Sequence, residues 1–518
     1  MSNMNKPSSR QDKGDTPVLE SDPFDHSQYD FDSLRQMSIA EHLIKGKLFI
    51  NGEWRDAASG GTYPVLNPAD SKAFFRVADA AQDDADEAIN AAHQAFLKWS
   101  KVPAKVRAEK LRIWFELIIE NQHSLAVIMT LESGKPLNES KSEVTYGASF
   151  VEWFAEEAKR INGDLMTSVG ADRKVMVSKQ AVGVCTAITP WNFPLAMITR
   201  KCAPALAAGC SVVVKPAEDT PMTALALAAL AEQAGFPAGV FNVISASSGI
   251  SVGKVLTTHP LVKKVSFTGS TEVGKLLIKQ SADTVKRVSM ELGGNAPFIV
   301  FDDAKLNKAV EGAIASKYRN SGQTCICANR FIVQAGIYDK FVEALAVKSR
   351  QLMIGNGMAP GTQQGPLINE TAVTKVKQIV DDAVASGARV LTGGKVVAGN
   401  FFQPTVLVDV DESMDIVNQE IFGPVCPVIK FETEEEAIAL ANATPYGLAA
   451  YVYTKKHKRI WRVSDALDYG MIGINEGIIS TEIAPFGGMK ESGIGREGGE
   501  YGLDEYLELK YLCMGGLD

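Results

Sequence analysis

At 518 residues, 46% hydrophobic and 22% charged, the chain has the composition of a soluble globular protein and the length for two or more domains. A formal charge of −8 gives no electrostatic case for nucleic acid or anionic membranes, and no apolar run reaches the ~18 residues that span a bilayer. Seven scattered cysteines fit a reducing cytoplasm rather than a disulfide framework; six dispersed histidines (His26, His42, His93, His123, His259, His457) argue against a metal site or a histidine base.

Residues 1–40 are polar and lack an apolar period, which predicts a mobile tail that is neither a transit peptide nor a secretory signal. Leu48-Phe49-Ile50-Asn51-Gly52-Glu53-Trp54 predicts a hairpin turned by Asn-Gly. Helical apolar spacing follows over 83–99, 104–122 and 140–160. Strands alternate with helices from about 181, at 182–188, 212–215, 240–244, 265–268 and 288–291, as in a parallel doubly wound sheet. Thr220 is placed to cap the helix that Pro221 opens and Gly235-Phe236-Pro237 ends. A second α/β set runs over 291–490, with strands at Phe298-Ile299-Val300, Phe331-Ile332-Val333 and Val428-Ile429-Lys430. Within it, 303–320 predicts a helix capped by Asp303 and stopped at Gly322. Finally, Tyr506-Leu507-Glu508-Leu509-Lys510-Tyr511 alternates like an edge strand able to pair with another subunit.

Cys325 therefore sits in a short turn between a helix and a strand. A lone cysteine there is ordinarily a packed thiol; its company at the other strand ends reverses that reading. Thr189-Pro190-Trp191-Asn192 stiffens an amide donor, and Met290-Glu291-Leu292-Gly293-Gly294 places a carboxylate beside glycines. Phe267-Thr268-Gly269-Ser270 opens a helix whose free amides suit a phosphate. Lys215 and Glu218 end another strand, where a carboxylate can accept both hydroxyls of a ribose. Gly493-Ile494-Gly495-Arg496-Glu497-Gly498 matches GxGxxG but lacks the flanking strand and helix, so it is read as a loop. A thiol nucleophile (Cys325), a carboxylate base (Glu291), an oxyanion donor (Asn192) and a dinucleotide site together imply oxidation of an aldehyde through a cysteine thioester.

With these motifs assembled, the chain resembles the aldehyde dehydrogenase superfamily over roughly 45–515, Glu420-Ile421-Phe422-Gly423-Pro424 adding a further match. The resemblance implies two doubly wound α/β domains plus a small β oligomerisation domain. It assigns 41–160 and 181–290 to NAD binding, 291–490 to catalysis, and 161–180 with 491–518 to assembly as a homodimer or homotetramer. It places Thr189, Trp191, Lys215, Glu218, Gly269, Ser270, Leu292, Glu420 and Phe422 at NAD, with NADP as the alternative. Within the family, the chain looks most like the succinate-semialdehyde dehydrogenases, the enzymes of GABA degradation. On that likeness Arg200, Arg319 and Ser480 hold the substrate carboxylate, and Cys327 is a redox partner or a small packed residue. The rivals are a dehydrogenase for another ω-semialdehyde such as glutarate semialdehyde, a general aldehyde dehydrogenase, and a catalytically silent binding homologue.

Overall fold

Asn51 and Gly52 both hold left-handed backbone (φ 55° and 77°) and fold strand Leu48–Ile50 back on Glu53–Arg55, as the Asn-Gly pair predicts. The computed structural model describes residues 39–167, 170 and 172–516. All but Ile39 and Ala40 of the expected N-terminal tail lies outside the described residues, and Ile39 is buried.

The hairpin edges an eight-stranded sheet whose parallel strands run Phe241–Val243, Ser211–Lys215, Val184–Ile188, Val262–Thr268 and Arg287–Glu291 in spatial order. The chain moves outward from Val184–Ile188 in one direction, then returns to lay Val262–Thr268 on its other side. That reversal opens a crevice beyond the carboxyl ends of these two strands. The strand expected over 182–188 starts two residues later, at Val184, and the strand before it was not anticipated. Gly183 (φ 135°) separates Val184–Ile188 from Lys174–Ala181, which belongs to a different sheet.

A second sheet has seven strands, ordered Arg389–Thr392, Thr405–Val408, Val425–Phe431, Ala328–Gln334, Ala296–Val300, Ala449–Tyr453 and Met471–Ile474, all parallel except the first pair. Residues 292–295 alone join the end of Arg287–Glu291 to the start of Ala296–Val300. The carboxyl edge of the first sheet therefore faces the amino edge of the second. A third, antiparallel sheet joins Leu507–Met514, Lys174–Ala181 and Asp164–Met166.

Three local expectations are corrected. The helix expected over 104–122 ends at Glu120, and another, Gln122–Ser133, follows; it is buried nearly all round, so it shows no amphipathic period. Asp303 does not cap the next helix, which starts at Leu306, because its carboxylate is taken by Thr454 Oγ1 (3.0 Å), the Lys455 amide (2.7 Å) and Arg459 (2.6 Å). Thr220 occupies the N-cap of Pro221–Gln233, yet its hydroxyl makes no cap bond. Glu132 accepts the Met222 and Thr223 amides instead (2.8 and 2.9 Å).

Candidate active site

Cys325 reaches its position through an unusual piece of backbone. After helix Leu306–Tyr318, three successive residues, Asn320, Ser321 and Gly322, hold φ of 49°, 57° and 76°. Left-handed backbone at two non-glycine residues is costly, so surrounding groups must hold it. The Asn320 amide donates to Glu139 (2.8 Å), and its side chain donates to the Asn192 carbonyl (3.0 Å). Ser321 donates to Gly365 O (2.9 Å), and Gln323 Oε1 accepts from the Ile368 amide (2.9 Å). The following turn, closed by Cys327 N–H to Thr324 O (3.1 Å), presents Cys325 to a cleft of about 430 Å³.

That cleft lies at the crevice between the two sheet edges. Its walls include Trp191, Asn192, Gly269, Ser270, Leu292, Glu420 and Phe422. Trp191 and Phe422 meet edge to face at 5.5 Å, and Ser270 caps helix Thr271–Ser281 by accepting from the Val273 amide. Glu420 accepts from Gly294 N–H (3.1 Å), and burial pushes its carboxyl up to about 7. Gly294 cannot carry a side chain here, since a Cβ would stand 2.6 Å from the Cys325 carbonyl oxygen. Thr189, just past strand Val184–Ile188, is buried and is not part of the lining. Lys215 and Glu218 end the neighbouring strand 3.5 Å apart, with Lys215 buried and Glu218 exposed, so the pair is only half a surface feature.

Glu291 stands at the end of its strand, 4% exposed, and neither carboxylate oxygen has a hydrogen-bond partner among the described residues. Burial first, then the Glu497 charge, pushes its carboxyl up to about 8 against the pull of Arg200 and Lys201. The Cys325 thiol is also pushed up, by burial and by the Glu291 carboxylate. One Asn192 amide hydrogen is spent on the Gln323 carbonyl (3.2 Å), which leaves the second. The set can therefore deprotonate a thiol, attack an electrophilic carbon and steady the resulting oxyanion.

On the far side of Asn192 and Phe193 lies a second cavity of about 560 Å³, lined by Arg319, Ser480, Tyr146, Phe193 and Glu139. The Arg319 guanidinium lies 5.2 Å from the Phe193 ring and has no ion pair or hydrogen bond among the described residues. Arg200 does not line this cavity. It is buried in helix Ala196–Ala208, under the Phe486 ring (3.9 Å) and paired to Glu497 at 2.6 Å. The structure thus joins Arg319 to Ser480 but keeps Arg200 apart. Cys327 is buried and donates to the Lys317 carbonyl (3.4 Å), so a Cys325–Cys327 bond requires the turn to unwind.

Sequence reasoning missed Lys201 and Glu497. Lys201 also pairs with Glu497, and although burial raises that carboxyl, Lys201 and Arg200 hold it below its ordinary value. Glu497 lies inside the stretch read as a loop. Gly493–Ile494 is in fact a short strand on Met290 and Glu291, which carries Glu497 inward. Two adjacent cations in an apolar helix were the available signal, since buried charges need partners.

The profile described as "Aldehyde dehydrogenase family" matches residues 54–512. A glutarate-semialdehyde dehydrogenase of Pseudomonas putida is 56% identical over 91% of this chain and 98% of its own length. The NADP(+) succinate-semialdehyde dehydrogenase GabD of Escherichia coli is 56% identical over 92% and 98%. A crystal structure of succinate-semialdehyde dehydrogenase from Burkholderia pseudomallei superposes with a TM-score of 0.91 at 52% identity, covering 92% of this chain and 99% of that one.

Proposed function

The chain belongs to the aldehyde dehydrogenase family, and from that premise we propose that it oxidises succinic semialdehyde to succinate. The observation that supports this reading is the unpaired Arg319 guanidinium, which lines one cavity with Ser480 and Phe193, the chain neighbour of Asn192 in the Cys325 cleft. An arginine without a partner offers two parallel donors to a carboxylate, and Ser480 adds a third. A short aldehyde with a carboxylate at its far end suits that clamp, and Arg319 is near enough to act on the Cys325 thiol through space. Arg200 joins the clamp only by releasing Glu497; held as it is, it sends positive charge toward Glu291 and Cys325.

In this reading Cys325 yields its proton to Glu291 and bonds to the aldehyde carbon. Asn192 Nδ2 and the Cys325 amide donate to the oxygen. After oxidation, Glu291 releases the Cys325 proton to solvent and, ionised again, deprotonates the water that opens the thioester. NAD, when bound, supplies the two-electron acceptor. The cleft suits it: Ser270 and Thr271 start a helix for a phosphate, Glu420 offers a carboxylate to a ribose, and Trp191 and Phe422 offer flat apolar walls beside Cys325. Thr189, Gly269 and Leu292 complete that site, with Lys215 and Glu218 at the second ribose. Glu218 would face the extra phosphate of NADP as a like charge, so NAD is preferred by an amount on the order of 1–3 kcal/mol, partly offset by Lys215.

The first sheet (41–160 with 181–290) is the proposed NAD-binding domain, 291–490 the catalytic domain, and the third sheet (161–180 with 491–518) the assembly surface of a cytoplasmic homodimer or homotetramer. The second reading, favoured by the P. putida relative, takes glutarate semialdehyde, one methylene longer.

One assay matrix tests these assignments: reduction of NAD and NADP with succinic semialdehyde, glutaric semialdehyde and butanal, in wild type, Arg200→Ala and Arg319→Ala. Losing the Arg319 clamp should cost roughly 2–5 kcal/mol with the semialdehydes and little with butanal. Equal losses on all three substrates would end the carboxylate assignment, equal efficiencies with both cofactors the NAD preference, and absence of turnover the enzyme itself.

A further inference from the structure

Two carboxylates of helix Leu137–Glu157 line the cavity that holds Arg319, and they are bonded differently. Glu143 is fully engaged: it pairs with Lys135 and accepts the Leu195 and Ala196 amides (3.0 and 3.3 Å). Glu139, one turn earlier, has no ion pair among the described residues; its single hydrogen bond is from the Asn320 amide, at 2.8 Å. Lys135, Glu143 and Arg319 act on it through space, Tyr146 shares the cavity, and burial pushes its carboxyl up to about 7. The cavity therefore contains one cation without an ion pair, Arg319, and one carboxylate without one, Glu139.

That pairing matters because the reaction changes the charge of what occupies the cavity. The semialdehyde carries one carboxylate and the product two, so the attraction of Arg319 grows as the reaction completes. An anionic group beside Arg319 opposes the doubly charged species more than the singly charged one. We propose that Glu139 is a specificity-determining residue that weakens the hold of the Arg319 cavity on the dicarboxylate product relative to the semialdehyde, while its Asn320 bond keeps the Cys325 turn in place. This rests on the carboxylate reading of Arg319.

The test measures inhibition of butanal oxidation by succinate at about pH 8.5, where Glu139 is ionised. Glu139→Gln removes the charge but keeps an acceptor for the Asn320 amide. The ratio of the succinate inhibition constant to the KM for succinic semialdehyde should fall about fivefold, the size of one partly screened charge interaction. Glu139→Ala removes the same charge and serves should the first variant fail to fold. An unchanged ratio in a folded variant, or inhibition constant and KM moving together, would leave Glu139 a purely structural clamp and overturn the proposal. Arg319→Ala in the same assay separates the two ideas. If it fails to weaken succinate inhibition, the carboxylate reading falls; if it weakens inhibition while both Glu139 variants behave as wild type, only the role of Glu139 falls.

Discussion

Glu291 is the residue whose surroundings most constrain the chemistry. Buried, without a hydrogen-bond partner among the described residues and facing Glu497, its carboxyl is pushed up to about 8. The sign follows directly: below that value it is protonated and cannot accept a proton, above it the base form dominates. Turnover should therefore climb with pH through about 8 and then level. Glu291→Gln should flatten that profile and slow steady-state turnover by ~10²–10⁴. Its first-turnover burst of reduced cofactor should fall less, since the Cys325 proton can also leave to water. Stopped-flow traces over a pH series decide this, and an unchanged pH profile in the variant would remove Glu291 as the base.

Among the elements, the turn that carries Cys325 depends most on its neighbours. Gly322 ends the left-handed run, and a Cβ there would lie 2.3 Å from the Gly423 carbonyl oxygen and 3.1 Å from that of Lys317. Gly423 belongs to the loop that places Glu420 and Phe422. Gly322→Ala must therefore part the Cys325 turn from that loop as well as strain its own backbone. The expected cost exceeds about 1 kcal/mol of stability, with a larger proportional loss of kcat/KM. Urea denaturation alongside kinetics checks both, and a variant matching wild type in each would show that the turn is not held as described.

At the scale of the whole molecule, the third sheet carries apolar side chains that the described residues leave exposed. Leu509 and Tyr511 are 68% and 65% exposed on strand Leu507–Met514, whose outer edge has no partner strand among the described residues, and Leu165 on Asp164–Met166 is 72% exposed. Such an edge ordinarily acquires a partner. Replacing Leu509 and Tyr511 by Glu should shift the protein to a smaller species in light scattering after size exclusion. An unchanged mass would overturn the proposed assembly through this sheet.

The sequence by itself determined the kind of chemistry and the alternation of strands and helices. Cys325, Asn192, Glu291 and the Gly269-Ser270 turn all fall at element ends, and periodicity together with Gly and Pro marks those ends locally. Tertiary structure alone decided who meets whom. Glu497 pairs with both Arg200 and Lys201, and Arg200 does not line the cavity of Arg319 and Ser480. Glu139 steadies Asn320, and Gly294 admits the Cys325 carbonyl. Each of these pairs is far apart in the chain or crosses the link between two sheets. Local patterning fixes which way a side chain faces within its element, whereas these meetings depend on how the carboxyl edge of one sheet packs against the amino edge of the other.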